Sequence, residues 1–133
     1  MGVRKREMAD ARKEANKNTY FAKLNNYPTS PRKMRLLADL IRNKKVEDAL
    51  NILRFHTQHS STPLSKLIVS AVKNYEEKTG LKAEDNGLFV KAIKVDSGAV
   101  LKRFHPAPQG RAYRIRKRSN HVTVVLDTKQ SEE

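Results

Sequence analysis

Three arginines spaced two apart, Arg114, Arg116 and Arg118, are the residues in this 133-residue chain with the clearest chemistry. On a β-strand they share one face about 6.6 Å apart, close to the spacing of successive phosphates along a nucleic-acid strand. A guanidinium binds phosphate through two parallel donors, so such a row suits a polyanion. The row continues through the segment before it. From Ala99 to Arg118 there are seven basic residues, Lys102, Arg103, Arg111, Arg114, Arg116, Lys117 and Arg118, and no Asp or Glu. Phe104 and His105 sit beside Lys102 and Arg103 and are able to stack on unpaired bases. Gly98 and Gly110 bracket this segment and permit bends or close backbone approach. Pro106 and Pro108 stiffen it.

Side chains that could do covalent or acid–base chemistry are sparse. His56 and His59 have an H-x-x-H spacing but no cysteine and no Glu–His motif beside them to complete a metal site, so they read as a surface pair. His105 and His121 stand alone. The acid pairs Glu47–Asp48, Glu76–Glu77 and Glu84–Asp85 read as helix-end and surface charge. There is no P-loop, no G-x-S-x-G and no dinucleotide fingerprint. The chain is therefore expected not to be an enzyme and to need no cofactor or metal.

Charge distribution points the same way. The chain holds 28 Lys and Arg against 14 Asp and Glu, a net +14. Residues 1–45 carry a net +9, residues 46–98 are neutral, and residues 99–133 carry a net +5. Uncompensated charge of this size favours a polyanionic partner over a compact monomer. The neutral middle is the expected folded body. No cysteine is present, so there is neither disulfide nor thiolate site. No apolar run approaches the ~18 residues of a membrane span, and the N-terminus lacks a secretory apolar core. A cytoplasmic location is expected.

The elements that must position the cations follow from periodicity. Residues 1–18 are charged and form a basic extension; Ala9, Ala11 and Ala15 allow some helix, but a solvated, disordered tail is the expectation. Thr19–Leu24 suits a short strand, ended by Asn25-Asn26-Tyr27-Pro28. Ser30 as N-cap and Pro31 at the first position start a helix over 31–42, with Met34, Leu37, Leu40 and Ile41 at helical spacing. Its first turn carries Arg32, Lys33 and Arg35, where the helix dipole disfavours cations unless an outside anion is bound. After the turn Asn43-Lys44-Lys45, Val46–Leu53 form a second helix with Val46, Ala49, Leu50 and Leu53 on one face. A third helix begins at Thr62-Pro63 and carries Leu64, Leu67, Ile68, Ala71, Val72 and Tyr75; it ends near Lys78, with Gly80 as stop.

Two strand-like arms follow, Leu88–Ser97 and Arg111–Leu126, making a hairpin over 88–126. The large aliphatics of the first arm change parity between Val90 and Ile93, which predicts a β-bulge. On the return arm Val122, Val124 and Leu126 alternate with His121, Thr123 and Val125 and should join the sheet. Gly98–Arg111 is expected as the tip, either a phosphate- and base-binding segment or a mobile loop, and 127–133 as a disordered tail. An arm from Val90 to His105 would reach about 50 Å, against a radius of gyration near 14 Å for a domain of this length. The fold class is α+β: three helices on a small antiparallel sheet, with a long protruding hairpin, in a single domain over 19–126.

The chain resembles the bacterial large-subunit ribosomal proteins of the universal twenty-two family. The resemblance covers about Ala22 to Leu126. It rests on SPRKMRLLADLIRNKKVEDALNIL (Ser30–Leu53), SAVKN (Ser70–Asn74) and GRAYRIRKRSNHVTVVL (Gly110–Leu126). It implies a body near the exit of the peptide tunnel and an arm running inward through ribosomal RNA. By the same resemblance, Ser30, Arg32, Lys33, Arg35, Lys44 and Lys45 would meet rRNA at the body. Lys102, Arg103, Gly110, Arg111, Arg114, Arg116, Lys117 and Arg118 would meet it along the arm. Leu101, Lys102, Arg103, Phe104, His105 and Pro106 would form the tip in the tunnel wall. Implied partners are large-subunit rRNA, neighbouring ribosomal proteins and the nascent peptide, with macrolides near the tip. Related tips often carry cations after the proline; here Ala107, Pro108 and Gln109 leave the tip less basic. A free-standing nucleic-acid-compacting factor is the rival reading.

Overall fold

The computed structural model describes residues 2–17, 19–83 and 87–128. Helix α1 spans Gly2–Lys17, strand β1 Tyr20–Tyr27, helix α2 Pro31–Ile41, helix α3 Val46–Phe55 and helix α4 Ser61–Thr79. Strand β2 runs Leu88–Pro106, a 3₁₀ turn covers Pro108–Gly110, and strand β3 runs Ala112–Thr128. The three strands form one antiparallel sheet in the order β1-β3-β2. The α+β architecture with a long hairpin agrees with the sequence reading.

The core forms where periodic apolar faces meet. Helix α2 buries Met34, Leu37, Ala38 and Ile41, a spacing of i, i+3, i+4, i+7. Leu40, expected on that face, is exposed, and Ala38 takes its place. Helix α3 buries Val46, Ala49 and Leu53, while Leu50 packs half-buried at the margin. Helix α4 buries Leu64, Leu67, Ile68, Ala71 and Tyr75. These rows close on Val122, Val124 and Leu126 of β3 and on Leu88, Val90 and Ile93 of β2. Each fully buried aliphatic side chain contributes about 1.5–3 kcal/mol. Tyr75 also meets Tyr20 edge to face, with ring centroids 4.7 Å apart. Asn74 donates to the Phe21 carbonyl at 3.0 Å and ties α4 to β1.

The expected bulge lies between Val90 and Ala92, where the register with β3 shifts. It keeps Leu88, Val90 and Ile93 on the core side although their parity changes. Gly80 ends α4 in the left-handed conformation, φ 70°, as its position predicted. Ser30 and Ser60 occupy N-cap positions, but neither side chain makes a capping bond. Helix α4 starts at Ser61, so Thr62 is helical and not the cap.

Four expectations are corrected. Residues 2–17 are helical, not a disordered tail, because Ala, Glu, Lys and Arg dominate them and are strong helix formers. Strand β1 continues through Asn25 and Asn26 to Tyr27; Asn26 adopts φ 54° and the register with β3 shifts there, so the strand bends without ending. Asp127 and Thr128 belong to β3: Lys91 Nζ donates to Asp127 Oδ2 at 2.5 Å, and Leu88 pairs with Thr128. Gly98–Pro106 is strand, not loop, since the pairing runs to Pro106 opposite Ala112. The remainder of the expected tail, 129–133, and the pair Glu84–Asp85 lie outside the described residues.

Candidate nucleic-acid interface

The candidate interface begins at the junction of body and arm. Beyond Val122, the inward face of β3 runs out of apolar residues and reaches Asn120, which is fully buried. Asn120 Nδ2 donates to the Thr29 carbonyl at 2.7 Å, and Thr29 N donates to the Tyr27 carbonyl at 2.8 Å. A single side chain on β3 thereby fixes the loop that leads into α2. One residue on, His121 Nδ1 accepts from the Asn26 amide at 3.0 Å. The end of β1 and the loop after it are thus held from two consecutive β3 positions, and the first turn of α2 is delivered beside the arm.

A second register shift, between Ser97 and Val100, separates the body from the arm. Gly98 lies within it. A Cβ on Gly98 would come 2.6 Å from Ser119 Oγ, 3.2 Å from His121 Nε2 and 3.3 Å from the Ser119 carbonyl carbon, so glycine lets the strands approach here without displacing the Ser119 and His121 side chains. Ser119 Oγ donates to the Ala99 carbonyl at 2.6 Å and locks the shift.

This bulge decides which cations share a face. Beyond it Val100 pairs with Arg118, Lys102 with Arg116 and Phe104 with Arg114. Lys102 therefore joins the arginine row, with Phe104 at its outer end. On the opposite face Leu101 pairs with Lys117, Arg103 with Ile115 and His105 with Tyr113. Both faces of the arm carry cations interleaved with apolar or aromatic groups. Phe104 is 74% and Tyr113 66% exposed. Among the described residues no carboxylate lies within ion-pair distance of any arm cation.

The arm closes over Ala107–Arg111. Ala107 N donates to the Arg111 carbonyl at 2.9 Å. Gln109 and Gly110 both take positive φ, 63° and 70°. Gly110 suits that conformation; Gln109 holds it with a side chain. Arg111 is exposed beside this turn, and Leu101, Lys102, Arg103, Phe104, His105 and Pro106 are exposed along the outer β2 strand.

Body cations divide into two groups. Lys33 and the half-buried Ser30 line one concavity with Arg116, Lys117 and Arg118, of about 860 Å³, between the α2 N-terminus and the arm root. Arg32 is exposed on the same helical turn. No acid stands in that turn, so helix dipole, lysine and arginines act in concert on an anion placed there. Arg35 turns elsewhere: its guanidinium donates to the Val95 carbonyl at 3.2 Å and covers the free edge of β2. Lys44 and Lys45 lie at the other end of the sheet, where Lys44 and Val90 share a backbone bond and Lys45 bridges to Phe89. About 40 Å of strand separates them from Lys102, so the structure does not gather them with the arm.

The histidine pair is taken up structurally. His59 Nδ1 lies 3.2 Å from the Tyr27 hydroxyl, and His56 Nδ1 accepts from the Gln58 amide at 3.2 Å. Sequence reasoning missed Asn120, Ser119 and the second bulge. The S-N-H run before the valines of β3 was the available signal, a polar interruption between two faces of one strand.

The family pattern described as Ribosomal protein L22p/L17e matches residues 22–127. The chain is 68% identical to the large ribosomal subunit protein uL22 of Flavobacterium johnsoniae, over 95% of this chain and 93% of that protein. It is 59% identical to the uL22 of Porphyromonas gingivalis over 96% of each chain. With the uL22 of Bacteroides fragilis it shares 56% identity over 100% of this chain and 98% of the relative. A cationic hairpin rooted in a small α+β body, matched by one family pattern over most of its length and by full-length relatives, leaves one assignment: the chain belongs to the Ribosomal protein L22p/L17e family.

Proposed function

We propose that this protein is a non-enzymatic structural component of the large ribosomal subunit that binds rRNA through its arm and the first turn of α2. The observation that carries this reading is the arm itself. It holds six cations on two paired strands and a seventh, Arg111, beside the closing turn, without a carboxylate neighbour among the described residues. Like charges placed directly opposite on a ladder are destabilising, and a two-stranded ribbon is marginal on its own in water. Phosphates seated against both faces reverse the sign of that repulsion. The names of the relatives place those proteins in the large subunit.

The cations neutralise phosphates where RNA segments crowd together, while Phe104, His105 and Tyr113 offer flat surfaces to unpaired bases. Ser30, Arg32 and Lys33 hold the body, and Lys44 and Lys45 form a separate contact. The tip, Leu101–Pro106 with the turn to Arg111, lines the peptide exit tunnel and meets the nascent chain, with macrolides binding nearby; family resemblance supports this finer placement. Neighbouring ribosomal proteins complete the setting.

The test is binding of the full chain to large-subunit rRNA across a salt series, with Lys102, Arg114, Arg116 and Arg118 replaced together by glutamine. Affinity falls and the slope of log K against log salt flattens by about 3, near 0.7–0.9 per phosphate contact. An unchanged slope refutes the arm's role. Equal affinity for duplex DNA would favour a general compacting factor instead.

A further inference from the structure

Helix α1 stands outside the matched family region, which begins at residue 22. It belongs to the shared chain of some relatives, since the match to the Bacteroides fragilis protein covers the whole sequence. Every residue from Val3 to Lys17 is exposed. Its hydrogen bonds to the body lie at its C-terminal end. Lys78 Nζ donates to the carbonyls of Asn16 and Thr19 at 3.2 and 2.9 Å, and Thr19 Oγ1 donates to the Ala15 carbonyl at 2.9 Å. A cation at that end complements the helix dipole. The helix is thereby aimed from the body as a strut about 24 Å long.

Its charges are sorted. At about 100° per residue, Lys5, Arg6, Arg12, Lys13 and Lys17 fall within a sector of about 140°. From Val3 onward only Ala9 and Asn16 stand among them, small enough to let a backbone approach. Glu7, Asp10 and Glu14 fall in a separate sector about 60° wide. Among the described residues one ion pair joins the two, Lys13 to Asp10 at 3.4 Å. Val3 falls among the acids, and Arg4, Met8, Ala11 and Ala15 make up the rest, too small a face to bury a core. An isolated helix of this length is marginal in water, and this one gains no packing from its own body.

We propose that α1 is a second RNA-binding element, its five-cation sector seated on the phosphates of a double-helical segment of large-subunit rRNA and its acidic sector turned outward. Charge complementarity selects the occupant. A protein groove would want an apolar stripe, which α1 lacks, whereas closely set cations without interleaved acids suit paired phosphate strands. The proposal rests on the rRNA-binding reading above and extends it to a surface the family match does not contain.

The experiment uses the full chain and rRNA transcribed from the large-subunit gene. One variant replaces Lys5, Arg6, Arg12, Lys13 and Lys17 by glutamine, a second replaces Glu7, Asp10 and Glu14 by glutamine, and a third is the arm variant already described. Circular dichroism checks that α1 remains helical. The basic-sector variant should lower the salt slope by about 3.5–4.5 and expose a duplex segment to hydroxyl radicals, while the acidic-sector variant binds at least as tightly as the parent. If the basic-sector variant keeps the parental slope and footprint while the arm variant loses its own, α1 does not bind RNA and the arm reading stands. If neither variant changes, both readings fall.

Discussion

Lys102 and Arg116 stand directly opposite each other on the arm, paired across an antiparallel ladder with no carboxylate nearby among the described residues. Nothing in the protein rewards that arrangement, because two like charges opposed on a sheet raise its free energy by a few tenths of a kcal/mol or more. The pairing follows from the second bulge. Without the extra residue between Ser97 and Val100, the arginine row would face Ala99, Leu101 and Arg103 in place of Val100, Lys102 and Phe104.

A charge reversal at this pair should separate stability from binding. Arg116→Glu places a carboxylate opposite Lys102 and is expected to stabilise the free arm by about 0.2–1 kcal/mol. Amide exchange of Leu101–Ile115 should slow accordingly. Affinity for rRNA should fall over the same change, because the new charge repels phosphate. A variant that exchanges faster and binds better would contradict the account.

The bulge can be tested at its closest contact. Gly98→Ala puts a Cβ 2.6 Å from Ser119 Oγ and 3.3 Å from its carbonyl carbon. Ser119 Oγ must swing away from Ala99 and its backbone must give by a few tenths of an ångström, at a cost of about 1–3 kcal/mol. Ser119→Ala removes the bond to Ala99 and should cost about 1 kcal/mol. Denaturant midpoints of both variants, with nuclear magnetic resonance of the arm amides, report whether the Val100–Arg118 register survives.

Asn120 should behave as a core residue despite its polarity. Asn120→Ala leaves the Thr29 carbonyl without its side-chain donor and opens a cavity, so a loss of about 1–3 kcal/mol is expected. Asn120→Asp keeps the shape but supplies no donor to Thr29 and should lose at least as much. In either variant the loop Pro28–Ser30 should exchange faster, and binding that depends on Lys33 and Arg32 should weaken while the arm's own contribution persists.

The helical layer answers to packing alone. Ile68→Ala or Leu37→Ala, at fully buried positions, should cost about 2–5 kcal/mol in chemical denaturation. Once the fold is saturated with rRNA, the salt slope of binding should be unchanged, because no phosphate contact is touched. A changed slope would mean that the core and the cationic surface are coupled more closely than the structure indicates.

Much of this was written in local chemistry. The helices announce themselves through i, i+3, i+4 rows such as Leu64, Leu67, Ile68 and Ala71, and Gly80 marks a stop because few other residues tolerate its φ. The first bulge is visible in the parity change from Val90 to Ile93. The unopposed run Lys102–Arg118 declares a polyanion by composition alone. These signals depend on neighbours in sequence, so one dimension suffices to see them. The tertiary structure alone decided that Lys102 rather than Arg103 joins the arginine row, that Arg35 covers a strand edge, that Lys44 and Lys45 stand far from the arm, and that Asn120 is a buried clasp. Each of those depends on strand register, where one residue inserted across from Ser119 turns every later side chain to the other face.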